Sequence, residues 1–130
     1  MSLHRFKLKV YYEDTDLAGI VYYANYLKFI ERARSEWVKA LGIDQMQLKA
    51  EHGVVFAVRR IEADYLQSSK FGDVLEVTTR LVSQTGARVS LLQSVYRADD
   101  HIFQANVTLI ALTEDGRATR LPAEFRSKLS

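Results

Sequence analysis

Charged and apolar positions alternate from Leu3 to Tyr11, with Phe6, Leu8 and Val10 on one side and Arg5, Lys7 and Lys9 on the other. That period of two predicts a half-buried strand, and it stops at Glu13-Asp14-Thr15-Asp16. From about Ala24 the period lengthens: Tyr26, Ile30, Ala33, Trp37 and Leu41 recur at helical spacing, joined by Phe29 and Ala40, while Lys28, Arg32, Ser35 and Lys39 fall opposite. Gly42 predicts the helix stop, with Ile43 closing over the last turn in a Schellman-type ending. Asp44 with Gln47 three residues on predicts a capping box, Asp standing in for Ser or Thr, that opens a short second helix through about Lys49.

After Gly53 the pattern becomes strand-like over Val54 to Leu66, Val74 to Gln84, Arg88 to Ala98 and Ile102 to Thr113, each rich in β-branched, leucine or aromatic residues. Thr85-Gly86, Asp99-Asp100-His101 and Asp115-Gly116 are turn chemistry, so the later strands are expected to join as antiparallel hairpins. Strand, long helix, short helix, then four strands is an α+β order with helix segregated from an antiparallel sheet. The wide apolar arc of the long helix needs a curved sheet around it. Hydrophobes on both sides of the late strands, alternating with Leu91 and Val95 or with Val107 and Leu109, predict an outer sheet face covered by a partner.

At 130 residues the chain is expected to form one domain, 1–130, large enough for a real core. Hydrophobic residues at 48% and charged residues at 26% are ordinary globular usage, which argues against a disordered or fibrous chain. With no cysteine, disulfides, thiolate nucleophiles and Cys-ligated metals are excluded. The N-terminal residues lack the apolar core of a signal peptide, and no apolar run reaches the roughly 18 residues of a membrane helix. A cytoplasmic protein without stable membrane insertion is the expectation. Net charge is +2, with 18 basic residues dispersed among 16 acidic ones, so no Lys/Arg block suggests nucleic acid as a partner.

Several chemistries are missing. No serine sits in Gly-x-Ser-x-Gly, no His-Glu-x-x-His occurs, His4, His52 and His101 are too scattered for a metal site, and the six glycines form no phosphate-binding loop. Neither a metal nor another cofactor is expected, and any catalysis falls to carboxylates, hydroxyls and backbone dipoles. Glu13, Asp14 and Asp16 cluster just before the long helix. Residue chemistry leaves two readings open: a turn whose acids bond their own backbone and favour the helix's positive end, or a carboxylate beside Tyr12, Tyr22 and Tyr23 that acts as nucleophile or general base.

Val10-Tyr11-Tyr12-Glu13-Asp14-Thr15-Asp16, Gly19-Ile20-Val21-Tyr22-Tyr23-Ala24-Asn25-Tyr26 and Glu31-Arg32-Ala33-Arg34 together resemble the hydroxybenzoyl-CoA thioesterase family of hot-dog proteins, and within it the tol-pal-associated (YbgC-type) acyl-CoA thioesterases. The likeness runs through the strands to Arg120-Leu121-Pro122, although only the Asp-Thr-Asp-x-x-Gly-x-Val-Tyr segment is specific. It implies a hot-dog fold, a long central helix wrapped by a curved antiparallel sheet. It also implies homodimers formed by sheet continuation, pairing further into a dimer of dimers, with active sites between subunits. In the family pattern Asp16 attacks the thioester carbonyl or activates water, and the backbone N–H of Tyr23 polarises that carbonyl. Some members of the tol-pal-associated group carry His at the position of Tyr23; its absence places the burden on Asp16.

The implied substrate is a short-chain or aromatic acyl-CoA, with acyl carrier protein as a possible donor. Phosphates of CoA call for cations, and Arg59, Arg60, Lys70 and Arg88 are available, each otherwise a solvated surface charge; Ser68 and Ser69 would border the acyl pocket or form a plain turn. Glu31 or Glu36 is the fallback carboxylate, since another hot-dog branch carries a catalytic Glu on the long helix, but Glu31 reads better as the partner of Arg34 one turn on. A hot-dog hydratase would need His five residues after the acid, where Val21 stands. The alternative from another class is a catalytically weak binding module for acyl carrier protein or an envelope-associated complex.

Overall fold

The computed structural model describes residues 3–129; Met1, Ser2 and Ser130, the outermost residues of the expected 1–130 domain, lie outside the described residues. The elements are β1 (His4–Lys9), a single 3-10 turn (Tyr12–Asp14), α1 (Asn25–Ala40), α2 (Gln45–His52), β2 (Val54–Tyr65), β3 (Val74–Gln84), β4 (Arg88–Arg97), β5 (Asp100–Thr113) and α3 (Ala123–Leu129). The five strands form one antiparallel sheet in the order β1-β3-β4-β5-β2. The hairpins β3-β4 and β4-β5 are as the turn residues predict. β2 instead crosses to the far edge beside β5.

Side chains of one sheet row face α1: Phe6, Val77, Val95, Phe103 and Tyr65 lie opposite one another across all five strands. Against this concave face α1 buries Tyr26, Phe29, Ile30, Ala33, Trp37 and Val38. Burial of each such side chain contributes about 1.5–3 kcal/mol, and the arrangement is the hot-dog fold. The C-terminal end of α1 is the Schellman motif that Gly42 predicts: Gly42 N–H donates to Lys39 O (3.0 Å) and Ile43 N–H to Val38 O (3.2 Å), with Gly42 at φ +83°. Asp44 caps α2 through Oδ1, accepting from Met46 and Gln47 N–H; the Gln47 side chain turns to Glu51 instead of completing the box.

The structure corrects one expectation, the partner of Arg34, and adds detail elsewhere. One row of the outer sheet face is polar, with Arg5, Thr78, Ser94, Gln104 and Asp64 side by side, while Val74, Leu92 and Ile110 lie on the same face. Arg34 is buried, but its guanidinium donates to Gln93 Oε1 (3.0 Å), not to Glu31. Gln93 Nε2 in turn donates to Ile30 O and Thr79 Oγ1, both at 2.9 Å, pinning α1 to the middle of the sheet. Burial lowers the Arg34 pKa and the nearby Glu31 charge opposes that shift. Finally, the residues after Pro122 form α3, which buries Phe125 and Leu129 and sends the Lys128 ammonium to Gly42 O (3.1 Å).

Candidate active site

The end of β1 is stitched to the start of β3 by Val10 N–H to Asp73 O (2.9 Å) and Gly72 N–H to Val10 O (3.0 Å). Asp14 then turns inward and is buried. Its Oδ2 accepts Tyr11 N–H, its Oδ1 accepts Asn25 Nδ2–H, and its carbonyl accepts Tyr22 N–H, each at 2.9 Å. A buried carboxylate with a protein donor on each oxygen is a structural cap between strand end and helix start.

Asp16 is the opposite case. It sits on an exposed tight loop closed by Asp16 N–H to Ile20 O (3.0 Å) and Gly19 N–H to Asp16 O (2.9 Å). Gly19 has φ +80°, a conformation that side-chain-bearing residues resist. Oδ1 of Asp16 accepts Ala18 N–H (2.9 Å), and Oδ2 has no partner among the described residues. The loop is drawn back towards α1 by the Thr15–Val21 bridge.

At the start of α1 the backbone is open. Asn25, Tyr26 and Leu27 N–H reach back to Tyr22, Tyr23 and Ala24 O, whereas the N–H groups of Tyr23 and Ala24 have no acceptor among the described residues. The N-cap residue is Ala24, which has no side-chain oxygen to offer. Two uncommitted donors at the positive end of a helix can stabilise a developing oxyanion. Tyr22 and Tyr23 pack with ring centroids 4.9 Å apart, and the Tyr22 phenol pKa is raised, chiefly by Tyr23, with the Asp16 carboxylate contributing less.

Beside Tyr23 lies an apolar cavity of about 340 Å³ whose walls include Val21, Tyr23, Tyr26, Tyr65 and Ser68. Tyr26 stacks flat on Phe103 at 5.2 Å and Tyr65 meets Tyr23 and Tyr26 edge-on. The Tyr26 hydroxyl bonds Ser69 Oγ at 2.5 Å; burial raises its pKa, outweighing the lowering by Ser69, so the phenol is neutral. A second cavity of about 540 Å³ adjoins it, bounded by Ile20, Ser68, Lys70, Asp73 and Arg97.

Asp16, Tyr23, Ser68 and Lys70 are therefore brought to one end of the sheet. Arg59 and Arg88 are not. Arg59 is the bulge residue of β2, exposed on the sheet edge. Arg88 pairs with Ile110, seven residues along β4 from the Val95 row and so about 23 Å away at the strand rise. Ser69 joins Ser68 at the cavity wall, as the sequence reading allows, whereas Asn25 and Arg97 are parts of the site that sequence reasoning missed. Asn25 occupies the first residue of a helix with an acid eleven positions earlier, a weak signal; Arg97 carries none.

A family model described as the thioesterase-like superfamily matches residues 10–129. The acyl-CoA thioester hydrolase YbgC of Escherichia coli is 34% identical over 113 residues, covering 87% of this chain and 84% of that protein. The acyl-CoA thioesterase YbgC of Haemophilus influenzae is 40% identical over 92 residues, covering 71% of this chain and 68% of its own length. Among solved structures, a probable thioesterase from Bartonella henselae superposes with a TM-score of 0.89 at 31% identity, covering 93% of this chain and 100% of that one.

Proposed function

From the premise that this chain belongs to the thioesterase-like superfamily, we propose that it is an acyl-CoA thioesterase acting through Asp16, with the Tyr23 N–H as oxyanion donor. The observation that carries this reading is the pairing of a carboxylate oxygen without a partner and backbone N–H groups without an acceptor on one short segment. A thioester carbonyl gathers negative charge as Asp16, or a water it activates, attacks the carbon. A fixed N–H at the helix end stabilises that charge by about 3 kcal/mol per donor in comparable sites. The thiolate of CoA then leaves without strong acid assistance, and hydrolysis yields the free acid and CoA.

The acyl group enters the cavity bounded by Tyr23, Tyr26 and Tyr65, whose size suits a short-chain or aromatic group. Ser68 stands at its rim, and Lys70, which lines the adjoining cavity, is the cation assigned to CoA within one subunit. Arg59 and Arg88 would reach substrate only from a second copy. That fits a homodimer built on β2, whose outer edge carries no strand among the described residues over its twelve residues. Pairing of dimers, a cytoplasmic location, use of acyl carrier protein as donor and the single-domain span 1–130 belong to the same proposal. No helix among the described residues is long and apolar enough to cross a membrane.

Thiol release from short, long and aromatic acyl-CoAs tests the proposal. Release that is lost in Asp16→Asn with folding intact supports it; a wild-type protein that binds acyl-CoA but releases no thiol favours the binding-module alternative.

A further inference from the structure

The segment 66–73 connects β2 to β3 and runs over the end of the sheet where Asp16 and Tyr23 lie. It is fastened to both. Ser69 O accepts Val21 N–H (2.8 Å) and Ile20 bridges to Lys70, holding the residues that directly follow the Asp16 loop. Ser69 Oγ bonds the Tyr26 hydroxyl at 2.5 Å, holding the first turn of α1 just after Tyr23. One side chain secures this strap from outside. Arg97, the last residue of β4, donates through Nη1 to Ser68 O (3.0 Å) and Asp73 Oδ2 (3.2 Å), and through Nη2 to Asp100 Oδ2 (3.2 Å). Asp73 Oδ2 also accepts Lys70 N–H at 2.9 Å, so the fork closes both ends of the 68–73 turn.

We infer that Arg97 is a positioning residue for the thioesterase reaction: its guanidinium fork fixes the 68–73 strap, and the strap fixes the Asp16 loop against the helix end that carries the Tyr23 N–H. This rests on the catalytic reading above. Arg97 makes no contact with Asp16 or Tyr23 and acts only through Ser68, Asp73 and the strap they anchor. Its charge is held by the two aspartates, so its pKa lies above the ordinary arginine value. A lysine supplies one ammonium and lacks the planar fork that spans three acceptors. A plain surface ion pair contributes little to stability and nothing to catalysis. Misplacement of a reacting group by about 1 Å, by contrast, lowers turnover by up to about a hundredfold.

The experiment compares wild type, Arg97→Gly, Arg97→Lys and Asp73→Asn for acyl-CoA hydrolysis per folded protein and for amide hydrogen exchange at Val21. Expected are a kcat about tenfold lower in Arg97→Gly with KM within twofold, only partial recovery in Arg97→Lys, and Val21 exchange at least several times faster. Asp73→Asn, the fallback should Arg97→Gly not fold, loses kcat about threefold to fivefold with the same exchange signature. An unchanged kcat, full activity in Arg97→Lys, a change in KM alone, or lowered kcat with Val21 exchange unmoved overturns the inference. Should wild type release no thiol, the catalytic reading fails, while Val21 exchange still reports on the clamp.

Discussion

The two ends of α1 are built to opposite specifications. At the C-terminal end Gly42 and Ile43 return hydrogen bonds to Lys39 and Val38, and Lys128 takes the Gly42 carbonyl, so the last turn is sealed. At the N-terminal end the cap residue is an alanine, and the Tyr23 and Ala24 N–H groups point to no acceptor among the described residues. Natural helices rarely leave donors open where a Ser, Thr, Asp or Asn cap contributes about 1 kcal/mol. Asp14, ten residues before that cap, bonds Tyr11 N–H and the Asn25 side chain, so the chain brings a carboxylate to the helix start and still leaves these backbone donors open. The open end, beside a carboxylate oxygen without a partner, is where the proposed chemistry is placed, and the closed end contributes stability.

That contrast breaks most visibly at Asp16. Asp16→Asn is expected to lower thiol release about a thousandfold, inside the range for a positioned base or nucleophile, and to leave thermal melting unchanged, because the amide oxygen still accepts Ala18 N–H. Full activity in this variant would remove Asp16 from the mechanism. Tyr23→Pro deletes one open donor in the turn just before the N-cap Ala24, where the N–H has no acceptor among the described residues to lose; kcat should fall about a hundredfold, measured in steady-state assays. At the sealed end, Gly42→Ala places a side chain at φ +83° and should cost about 1–2 kcal/mol, read as a lower melting temperature at unchanged kcat. The smallest effect is expected from Tyr23→Phe, which keeps the N–H: turnover within about threefold distinguishes the backbone from the phenol hydroxyl.

Much of the fold is legible because single-strand and single-helix periods carry it. The alternation of β1, the helical arc of α1, the Gly42 stop and the turn residues of the hairpins are local signals, and each appears where it is expected. What is not legible is tertiary. Nothing near Val54 says that β2 will pair with β5, and nothing near Arg34 says that its partner lies on β4 and is Gln93. The seven-residue α3 has only Phe125 and Leu129 at helical spacing, too little to separate from a loop. At the site, Asp16 and Tyr23 are legible through a compact motif. Arg97 and the bond of Ser69 to Tyr26 are not, because they arise from hydrogen bonds across distant segments that no spacing announces.

The strand order has a consequence for how the chain is made. β5 is the last strand to leave the ribosome, yet it alone pairs with β2, which is complete by Tyr65. β3, β4 and β5 can assemble by local hairpins, whereas β2 waits with both edges open until a partner emerges some forty to sixty residues later in the register. Non-local pairing of this kind slows folding and exposes an edge that other chains can capture. The charges Arg59, Arg60, Glu62 and Asp64, with the bulge at Arg59, fall on that waiting strand. Charged side chains and bulges disfavour unintended edge-to-edge pairing, so the strand that borders the 340 Å³ cavity through Tyr65 is also the one whose composition resists capture before β5 is complete.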